Sequence, residues 1–194
     1  MKFCSSCGGP ISRRIPANDD RERHVCDSCE TVHYQNPRIV VGCLPVFGEQ
    51  VLLCRRAIQP RRDYWTLPAG FMENGETTLE GARRETWEEA RARVEDESLY
   101  TIFDLPHISQ VYMFYRATLC GPEFAAGTES LEVALFDEDA IPWDELAFRT
   151  VKETLGPINH PIVFGGEVVE PGDIVKGDAD GVVLVKAADA QWVI

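Results

Sequence analysis

The sequence predicts an α/β protein, in which a small N-terminal metal module precedes a mixed α/β sandwich and a short β-rich segment ends the chain. Three observations support this prediction. Two Cys-x-x-Cys pairs lie near the N-terminus, apolar strand-like runs surround one strongly acidic helix, and short Val-rich runs separated by Gly turns form the tail. Strands and helices in such an order pack as layers around a core. We therefore expect three parts, at residues 1–38, 39–156 and 157–194.

The composition is that of a globular protein, and the charge argues against two classes of partner. The chain has 194 residues, of which 44% are hydrophobic and 26% charged, and its formal net charge is −13. Lys and Arg provide much of the affinity for phosphate backbones, so we expect no nucleic-acid or membrane partner. No apolar run approaches the roughly 20 residues that span a bilayer, and no secretory pattern is visible. A cytoplasmic location is expected.

Four of the seven cysteines predict a structural zinc site. Cys4 and Cys7 form one pair, Cys26 and Cys29 form the other, and the segment 8–25 separates them. Four thiolates at this spacing suit a tetrahedral Zn²⁺ ion and leave no open position for catalysis. A redox function is the alternative, but a redox motif uses one such pair and not two.

The middle segment contains several strands and two helices. Apolar runs bounded by turn residues predict the strands. Small or apolar residues at helical spacing predict a helix from Thr77 to about Arg91, and a second helix is expected from Trp143 to Leu155. The expected strands are Ile39–Val46, Val51–Arg56, Tyr64–Leu67, Leu99–Leu105, Gln110–Leu119 and Leu131–Phe136, followed in the tail by Ile162–Phe164, Ile174–Val175 and Val182–Val185.

Three glutamates of the first helix predict a divalent metal site. Glu85, Glu88 and Glu89 are spaced i, i+3 and i+4, so their carboxylates lie on one face. Clustered carboxylates repel one another unless a cation neutralises them, and oxygen ligands of this kind suit Mg²⁺ or Mn²⁺. A solvated acidic helix face is the alternative.

Residues 70–92 read GFMENGETTLEGARRETWEEARA, and this segment resembles the Nudix box. The box is a Gly, five residues, a Glu, seven residues, and then Arg-Glu-hydrophobic-x-Glu-Glu-x-Gly-hydrophobic. The residues at the required positions are Gly70, Glu76, Arg84, Glu85, Glu88 and Glu89. The chain departs from the pattern at Thr86 and Ala92, and at Arg91 in place of Gly. Arg adopts a positive φ angle less readily than Gly, so this departure concerns the helix end.

The resemblance implies the fold and the chemistry of a Nudix hydrolase. The implied fold is a Nudix α/β/α sandwich with a zinc ribbon in front, and a homodimer is expected. The implied reaction is hydrolysis of a diphosphate bond in a nucleoside diphosphate derivative, with Mg²⁺ or Mn²⁺. The implied catalytic and metal-binding residues are Glu85, Glu88, Glu89, the carbonyl of Ala69 and Glu129, with Glu132 as the alternative to Glu129. Glu76 is implied to brace the box through Arg84, within a frame that includes Gly70.

A zinc ribbon ahead of a Nudix box is similar to both the NADH pyrophosphatases and the FAD and ADP-ribose pyrophosphatases. The NADH branch carries Ser-Gln-Pro-Trp-Pro-Phe-Pro after its box, whereas residues 109–114 read SQVYMF. The chain keeps only the first two residues of that motif. The runs that look closest to the FAD and ADP-ribose pyrophosphatases are Tyr34–Pro37, Val41–Cys43, Leu52–Arg56 and Trp65–Gly70. The resemblance therefore implies FAD or ADP-ribose as the substrate. NADH is the first alternative. A silent Nudix domain that senses a nucleotide is the second, although the complete set of carboxylates argues against it.

Four residues are candidates for contact with the substrate. Arg55 and Arg56 suit phosphate, and Tyr112 and Phe114 suit stacking on a ring. The alternatives are a solvated surface for the arginines and strand packing for the aromatic rings. The four histidines show no paired ligand spacing and are assigned no role.

The tail, residues 157–194, is similar to the C-terminal β segment of the ribonuclease-E-regulator-like/aldolase family. The similarity rests on Pro171–Val175 and Gly177–Val183. It lacks that family's upstream active-site region, so it brings no activity with it. We expect a β-rich appendage or a dimer contact.

Overall fold

The computed structural model describes residues 1–156, together with the backbone of residues 162–164, 167–169, 174–178 and 181–185. The chain divides into two compact units. One contains Met1–Ile39 and Asp104–Val111, and the other contains Val40–Phe103 and the chain from Tyr112 onward. The sequence does not predict that residues 104–111 belong to the N-terminal unit.

Three short antiparallel strands form the N-terminal unit. β1 (Ile11–Arg14) pairs with β2 (Arg23–Cys26), which pairs with β3 (Val32–His33). A sheet of this size buries too little apolar surface to be stable by itself, so a bound metal or further contacts must contribute to its folding.

A seven-stranded sheet is the frame of the second unit. Its strands are β4 (Arg38–Phe47), β5 (Gln50–Arg56), β6 (Trp65–Thr66), β7 (Ala69–Phe71), β8 (Val94–Leu105), β9 (Gln110–Leu119) and β10 (Ser130–Phe136). They are ordered β10-β5-β4-β9-β8, with β6 paired to β5 and β7 paired to β4. β7 is not predicted from the sequence. It places Gly70 opposite Val41, so the first residue of the box lies directly against the sheet.

One helix covers each face of this sheet. Neighbouring residues of a strand point to opposite faces. In β5, Leu53 belongs to the core cluster that contains Val151 of α2 (Arg149–Leu155), whereas Leu52 belongs to the cluster that contains Ala90 of α1 (Thr78–Ala90). The predicted α/β/α arrangement is confirmed.

The second helix is shorter than predicted. Residues Trp143–Glu145 form a separate 3-10 turn, and α2 begins only at Arg149. Between the two, the amide of Ala147 donates to the carbonyl of Trp65 at 2.8 Å, and Leu146 forms a parallel β-bridge with Trp65. The backbone therefore pairs with β6 at this point and does not continue a helix.

Two hairpins are described in the tail. β11 (Ile162–Phe164) pairs with β12 (Glu167–Val169), and β13 (Ile174–Asp178) pairs with β14 (Gly181–Val185), both antiparallel. β12 is not predicted, and the other three overlap the predicted strands. Across the described residues, no helix is both long and apolar enough to cross a membrane.

Candidate functional site

Helix α1 is capped at both ends by residues of the Nudix box. The hydroxyl of Thr77 accepts from the amide of Glu80 at 3.2 Å, and the Glu80 carboxylate accepts from the amide of Thr77 at 2.7 Å. This capping box satisfies two free amides of the first turn. At the other end Arg91 has φ 50°, and its amide donates to the carbonyl of Trp87 at 2.9 Å. Arg91 therefore adopts the left-handed conformation that Gly has in the family pattern.

One side of α1 is buried against the sheet as predicted. Ala82, Thr86 and Ala90 are fully buried. The Thr86 hydroxyl donates to the carbonyl of Ala82 at 2.8 Å. A polar residue is therefore tolerated at this apolar position of the box, because its hydrogen bond is made within the helix.

Glu85, Glu88 and Glu89, named here the acid face, differ in their exposure. The sequence predicts that all three lie on one face of the helix, but it does not predict how far each is buried. In the structure only 9% of Glu85 and 6% of Glu89 is exposed, whereas Glu88 is exposed. Two carboxylates therefore lie largely out of water, where a negative charge is costly without a partner.

Arg84 connects the acid face to the start of the box. Its Nε and Nη2 donate to the two carboxylate oxygens of Glu76 at 3.0 and 2.8 Å. Its Nη1 donates to Glu85 at 2.7 Å and to Glu88 at 3.2 Å, and Nη2 also donates to the carbonyl of Phe71 at 3.1 Å. One guanidinium thus orients three carboxylates and the last residue of β7.

The environment of Glu85 and Glu89 raises their pKa values, which favours binding of a proton or a metal cation over two free negative charges. Burial, together with the charges of Glu85 and Glu129, raises the pKa of Glu89 to about 8, although the Ala69 amide and Arg56 oppose this shift. Burial also raises the pKa of Glu85. The pKa of Glu76, by contrast, is lowered to about 2 by its hydrogen bonds from Arg84.

Space beside Glu85 depends on Gly70. A Cβ atom built on Gly70 would overlap the carboxyl group of Glu85. One residue earlier, the amide of Ala69 donates to Glu89 at 3.3 Å. The donor set of the acid face is made of carboxylate oxygens, and this space lets backbone and carboxylates approach closely. These residues fit a hard divalent cation.

Glu129 lies next to the acid face, although it is far from Glu89 in the sequence. Its charge contributes to the raised pKa values of both Glu85 and Glu89. The alternative residue, Glu132, is paired with Arg55 at 3.6 Å between Nη1 and a carboxylate oxygen. Glu129 therefore stays the predicted metal ligand of this segment, with Glu132 as the alternative.

The two candidate arginines have different environments. Arg56 is buried, its Nε donates to the carbonyl of Pro60 at 2.9 Å, and its guanidinium lies 5.1 Å from the ring centre of Phe148. Arg55 is partly exposed, and its Nε donates to the carbonyl of Asp63 at 3.1 Å. Arg55 is therefore the more accessible of the two, and Arg56 is held by the protein.

The two candidate aromatic rings, Tyr112 and Phe114, also differ in how far they are buried. Phe114 is only 1% exposed and belongs to the core cluster with Leu44 and Leu53. The prediction that Phe114 stacks on a substrate ring is wrong, because core side chains cover it. Tyr112 is half-buried at the edge of that cluster, with its ring centre 6.3 Å from that of Phe114. Tyr112 stays a candidate for contact with the substrate.

The four predicted zinc ligands come together in the N-terminal unit. The Sγ atoms of Cys4, Cys7, Cys26 and Cys29 all lie within 4.8 Å of one another. Backbone amides point at the sulfur atoms, as from Ser6 to Cys4 at 3.3 Å and from Gly9 to Cys7 at 3.4 Å. Four convergent thiols with amide donors fit one tetrahedral Zn²⁺ ion.

His33 is a neighbour of this cluster that sequence reasoning missed. Its Nε2 lies 3.2 Å from the Sγ atom of Cys4. Burial opposes ionisation of Cys4, but the amides of Ser6 and Cys7 together with His33 lower the pKa of this thiol to about 5. Spacing alone does not reveal such a contact, because His33 follows the second cysteine pair and is distant from Cys4 along the chain.

Family models match most of the chain. The NUDIX domain model matches residues 36–157, and the Nudix N-terminal model, a zinc ribbon, matches residues 2–35. An Aldolase/RraA model matches residues 132–184 and confirms the resemblance of the tail.

Three known proteins illustrate these similarities. A NUDIX hydrolase from Nitrosomonas europaea, known from a crystal structure, is 57% identical with a TM-score of 0.78, over 80% of this chain and 88% of that one. The NAD-capped RNA hydrolase NudC of Chromobacterium violaceum is 32% identical over 73% of this chain and 52% of its own length. The ADP-ribose pyrophosphatase of Methanocaldococcus jannaschii is 29% identical over 59% of this chain and 69% of its own.

The chain thus spans about half the length of the NudC relative, and its similarity to the crystal structure is far more complete. The Nudix model covers well over half of the chain and includes the whole acid face with Arg84 and Glu129. With the sandwich fold and the box geometry described above, the chain belongs to the Nudix family.

Proposed function

We propose that the chain hydrolyses the diphosphate bond of a nucleoside diphosphate linked to a second group, with Mg²⁺ or Mn²⁺ as cofactor and ADP-ribose or FAD as substrate. The acid face of α1 is the observation that carries this proposal. Glu85 and Glu89 are largely buried, and Arg84 holds Glu85 together with the adjacent Glu88. Such a concentration of negative charge is costly unless cations bind to it.

In this proposal the carboxylates of the acid face hold the cations, together with Glu129 and the carbonyl of Ala69. Oxygen donors of this kind suit Mg²⁺ and Mn²⁺. When bound, the cations would neutralise the diphosphate oxygens and lower the pKa of the attacking water. The space beside Glu85 that Gly70 leaves supports this assignment.

The chain's own residues would position these groups. Arg84 holds Glu85 and Glu88 in place, and the Ala69 amide does the same for Glu89. Fixed carboxylates need little rearrangement when the reaction begins, which is a main source of rate enhancement in enzymes. Arg55 and Tyr112 are the residues that we propose for contact with the substrate's phosphate and ring.

The relatives support a substrate class. Their names give NAD-capped RNA as the substrate of one and ADP-ribose as that of the other. Both molecules contain an adenosine diphosphate joined to a ribose, so a diphosphate with a nucleoside on one side is common to them. The choice of FAD as a candidate substrate rests only on the sequence resemblance to the FAD and ADP-ribose pyrophosphatases. NADH is kept as the second candidate because of the similarity to NudC.

A comparison of turnover with ADP-ribose, FAD and NADH at equal concentrations tests the proposal. With Mg²⁺ or Mn²⁺ we expect release of AMP, and a kcat/KM for ADP-ribose or FAD at least about tenfold above that for NADH. A preference for NADH would select the second candidate. Tight binding of a nucleotide without any turnover would identify a silent sensor.

We also propose that the chain forms a homodimer through β8. This strand lies at one edge of the sheet, and Leu99, Tyr100 and Ile102 are each about half exposed on it. Exposed apolar edge strands tend to pair with another chain. Light scattering should give twice the chain mass for the wild type and the single chain mass for Ile102→Lys, whereas the exposed control Glu49→Gln should stay a dimer.

A cytoplasmic location remains a prediction.

A further inference from the structure

The loop between β9 and β10 is hydrogen-bonded to the last turn of α1. The amide of Gly127 donates to the carbonyl of Glu89, and the amide of Ala125 donates to the carbonyl of Ala90, both at 2.9 Å. Carbonyls of the last helical turn have no partner within the helix. Backbone amides of this loop therefore pair with the same turn that carries Glu88 and Glu89.

Gly127 allows this close approach because it has no side chain. A Cβ atom built on Gly127 would overlap the carbonyl oxygen of Glu88 and would lie 2.8 Å from the carbonyl carbon. Both atoms are backbone, so rotation of a side chain does not relieve the overlap. The reason is space and not conformation, since Gly127 is not among the glycines with a positive φ angle.

The position of Glu129 depends on the same loop. The carbonyl of Gly127 accepts from the amide of Ser130 at 3.2 Å, so residues 127–130 form a tight turn. On the other side, the carbonyl of Glu129 accepts from the amide of Ala57 at 2.8 Å. The backbone of Glu129 is thus held between the end of β5 and a turn that is itself fixed to α1.

We propose that Gly127 is a positioning residue, which lets the loop lie against the last turn of α1 and thereby sets the distance from Glu129 to the acid face. This inference rests on the proposed function, in which Glu129 acts with Glu85 and Glu89. It assigns no chemistry to Gly127. A displacement of about 1 Å at a reacting group is enough to cost roughly 10²-fold in rate.

A second interpretation must be separated from this one. The loop also satisfies carbonyls at the end of α1, so substitution of Gly127 will lower stability even if Glu129 plays no part. A loss of stability alone therefore does not distinguish a positioning role of Gly127 from a purely stabilising role of the loop. The two roles differ in whether the effect of substituting Gly127 on the site requires the carboxylate of Glu129.

A double-mutant cycle of Gly127→Ala and Glu129→Gln tests the inference in the full chain. Two quantities are measured for each variant, kcat with the best substrate and the Mn²⁺ dissociation constant by electron paramagnetic resonance. Gly121→Ala is the matched control, because a Cβ there meets only the carboxylate end of the exposed Glu123 side chain, at 2.5 Å, and not backbone. Thermal unfolding confirms that each variant is folded.

We expect Gly127→Ala to lower kcat by roughly 10- to 100-fold with KM changed less than about threefold, and to weaken Mn²⁺ binding in the same direction as Glu129→Gln. In the Glu129→Gln background, the further effect of Gly127→Ala should fall below about threefold. Gly121→Ala should match the wild type. An equal loss in both backgrounds would overturn the inference and leave the proposed function intact.

The two proposals fail in distinguishable ways. Absence of turnover in the wild type would refute the proposed function, while the Mn²⁺ cycle would still decide the role of Gly127. Normal kcat and Mn²⁺ affinity in Glu129→Gln would refute the positioning role. If Gly127→Ala does not fold, Ala125→Pro takes its place in the cycle, because it removes the other hydrogen bond from this loop to α1, and the same two outcomes then support or overturn the inference.

Discussion

Arg84 donates two parallel hydrogen bonds to Glu76, from Nε to Oε2 at 3.0 Å and from Nη2 to Oε1 at 2.8 Å. The pair joins the loop that precedes α1 to the middle of that helix. Both side chains are mostly shielded from solvent. Paired geometry of this kind is stronger and more directional than a single surface ion pair.

The first prediction concerns the pH dependence of this pair. Arg84 lowers the pKa of Glu76 from 4.5 to about 2. A depressed carboxyl pKa contributes stability above the unfolded value, and this contribution is lost as the pH falls from about 4.5 to 2. We expect Glu76→Gln to lower the unfolding free energy by about 1–2 kcal/mol at pH 7.

Thermal unfolding without added Mg²⁺ or Mn²⁺ measures this effect. The difference between wild type and Glu76→Gln should shrink steadily between pH 4.5 and pH 2.5, while the exposed control Glu49→Gln should show little difference at any pH. A difference that stays constant down to pH 2.5 would mean that the charge of Glu76 is not what stabilises the box.

The second prediction concerns Glu89. Glu89→Gln should remain folded, because a neutral side chain of the same shape suits a site that is 6% exposed. Its kcat should fall by at least ~10²-fold, because a charge that holds the cation near the reacting phosphate is lost. Turnover with added Mg²⁺ is compared with that of the exposed control Glu49→Gln. Near-normal turnover of the folded variant would contradict the assignment of the acid face.

Local pattern was sufficient to predict the box and its helix. The helix begins directly after Thr77, as predicted within one residue, and it ends at Ala90 because Arg91 adopts a left-handed conformation. Burial of Glu85 and Glu89 was not predictable, since it depends on β7 and on a loop from far along the chain. Residue pattern within one helix carries no information about such distant neighbours.

The wrong prediction for Phe114 and the wrong start of the second helix also result from contacts between distant segments. Tyr112 and Phe114 lie two apart on β9, and alternation places both on one face, but only packing decides that Phe114 is enclosed. The second helix is interrupted because Ala147 pairs with Trp65, which lies much earlier in the chain. Pairings between distant segments are set by the whole fold and not by local preference.

The third prediction concerns the zinc ribbon. The wild type should contain one zinc ion per chain, and Cys26→Ser should lose it, because Cys26 is buried among the other three thiols. Energy from a structural zinc ion is folding energy, so the N-terminal unit should melt or aggregate in this variant. Elemental analysis of the purified proteins gives the zinc content. Cys120→Ser, at an exposed thiol outside the cluster, should retain zinc. A wild type without zinc would refute the site.

The last prediction concerns the tail. Every residue that we assign to the substrate or to the cations of the acid face lies in the segment from Arg55 to Glu129, and α2 completes the core through Val151 and Leu155. Residues 157–194 carry two basic and six acidic groups, which is an unfavourable composition for binding an anionic dinucleotide. A chain that ends at Gly156 should therefore keep its Mg²⁺-dependent turnover within about tenfold of the full chain, although its thermal stability is expected to be lower. Both proteins are assayed with the same substrate after light scattering has given their oligomeric states. If the shortened chain is folded and binds Mn²⁺ normally but has lost more than about 100-fold in kcat, the tail contributes to the site, and the boundary near residue 157 is wrong.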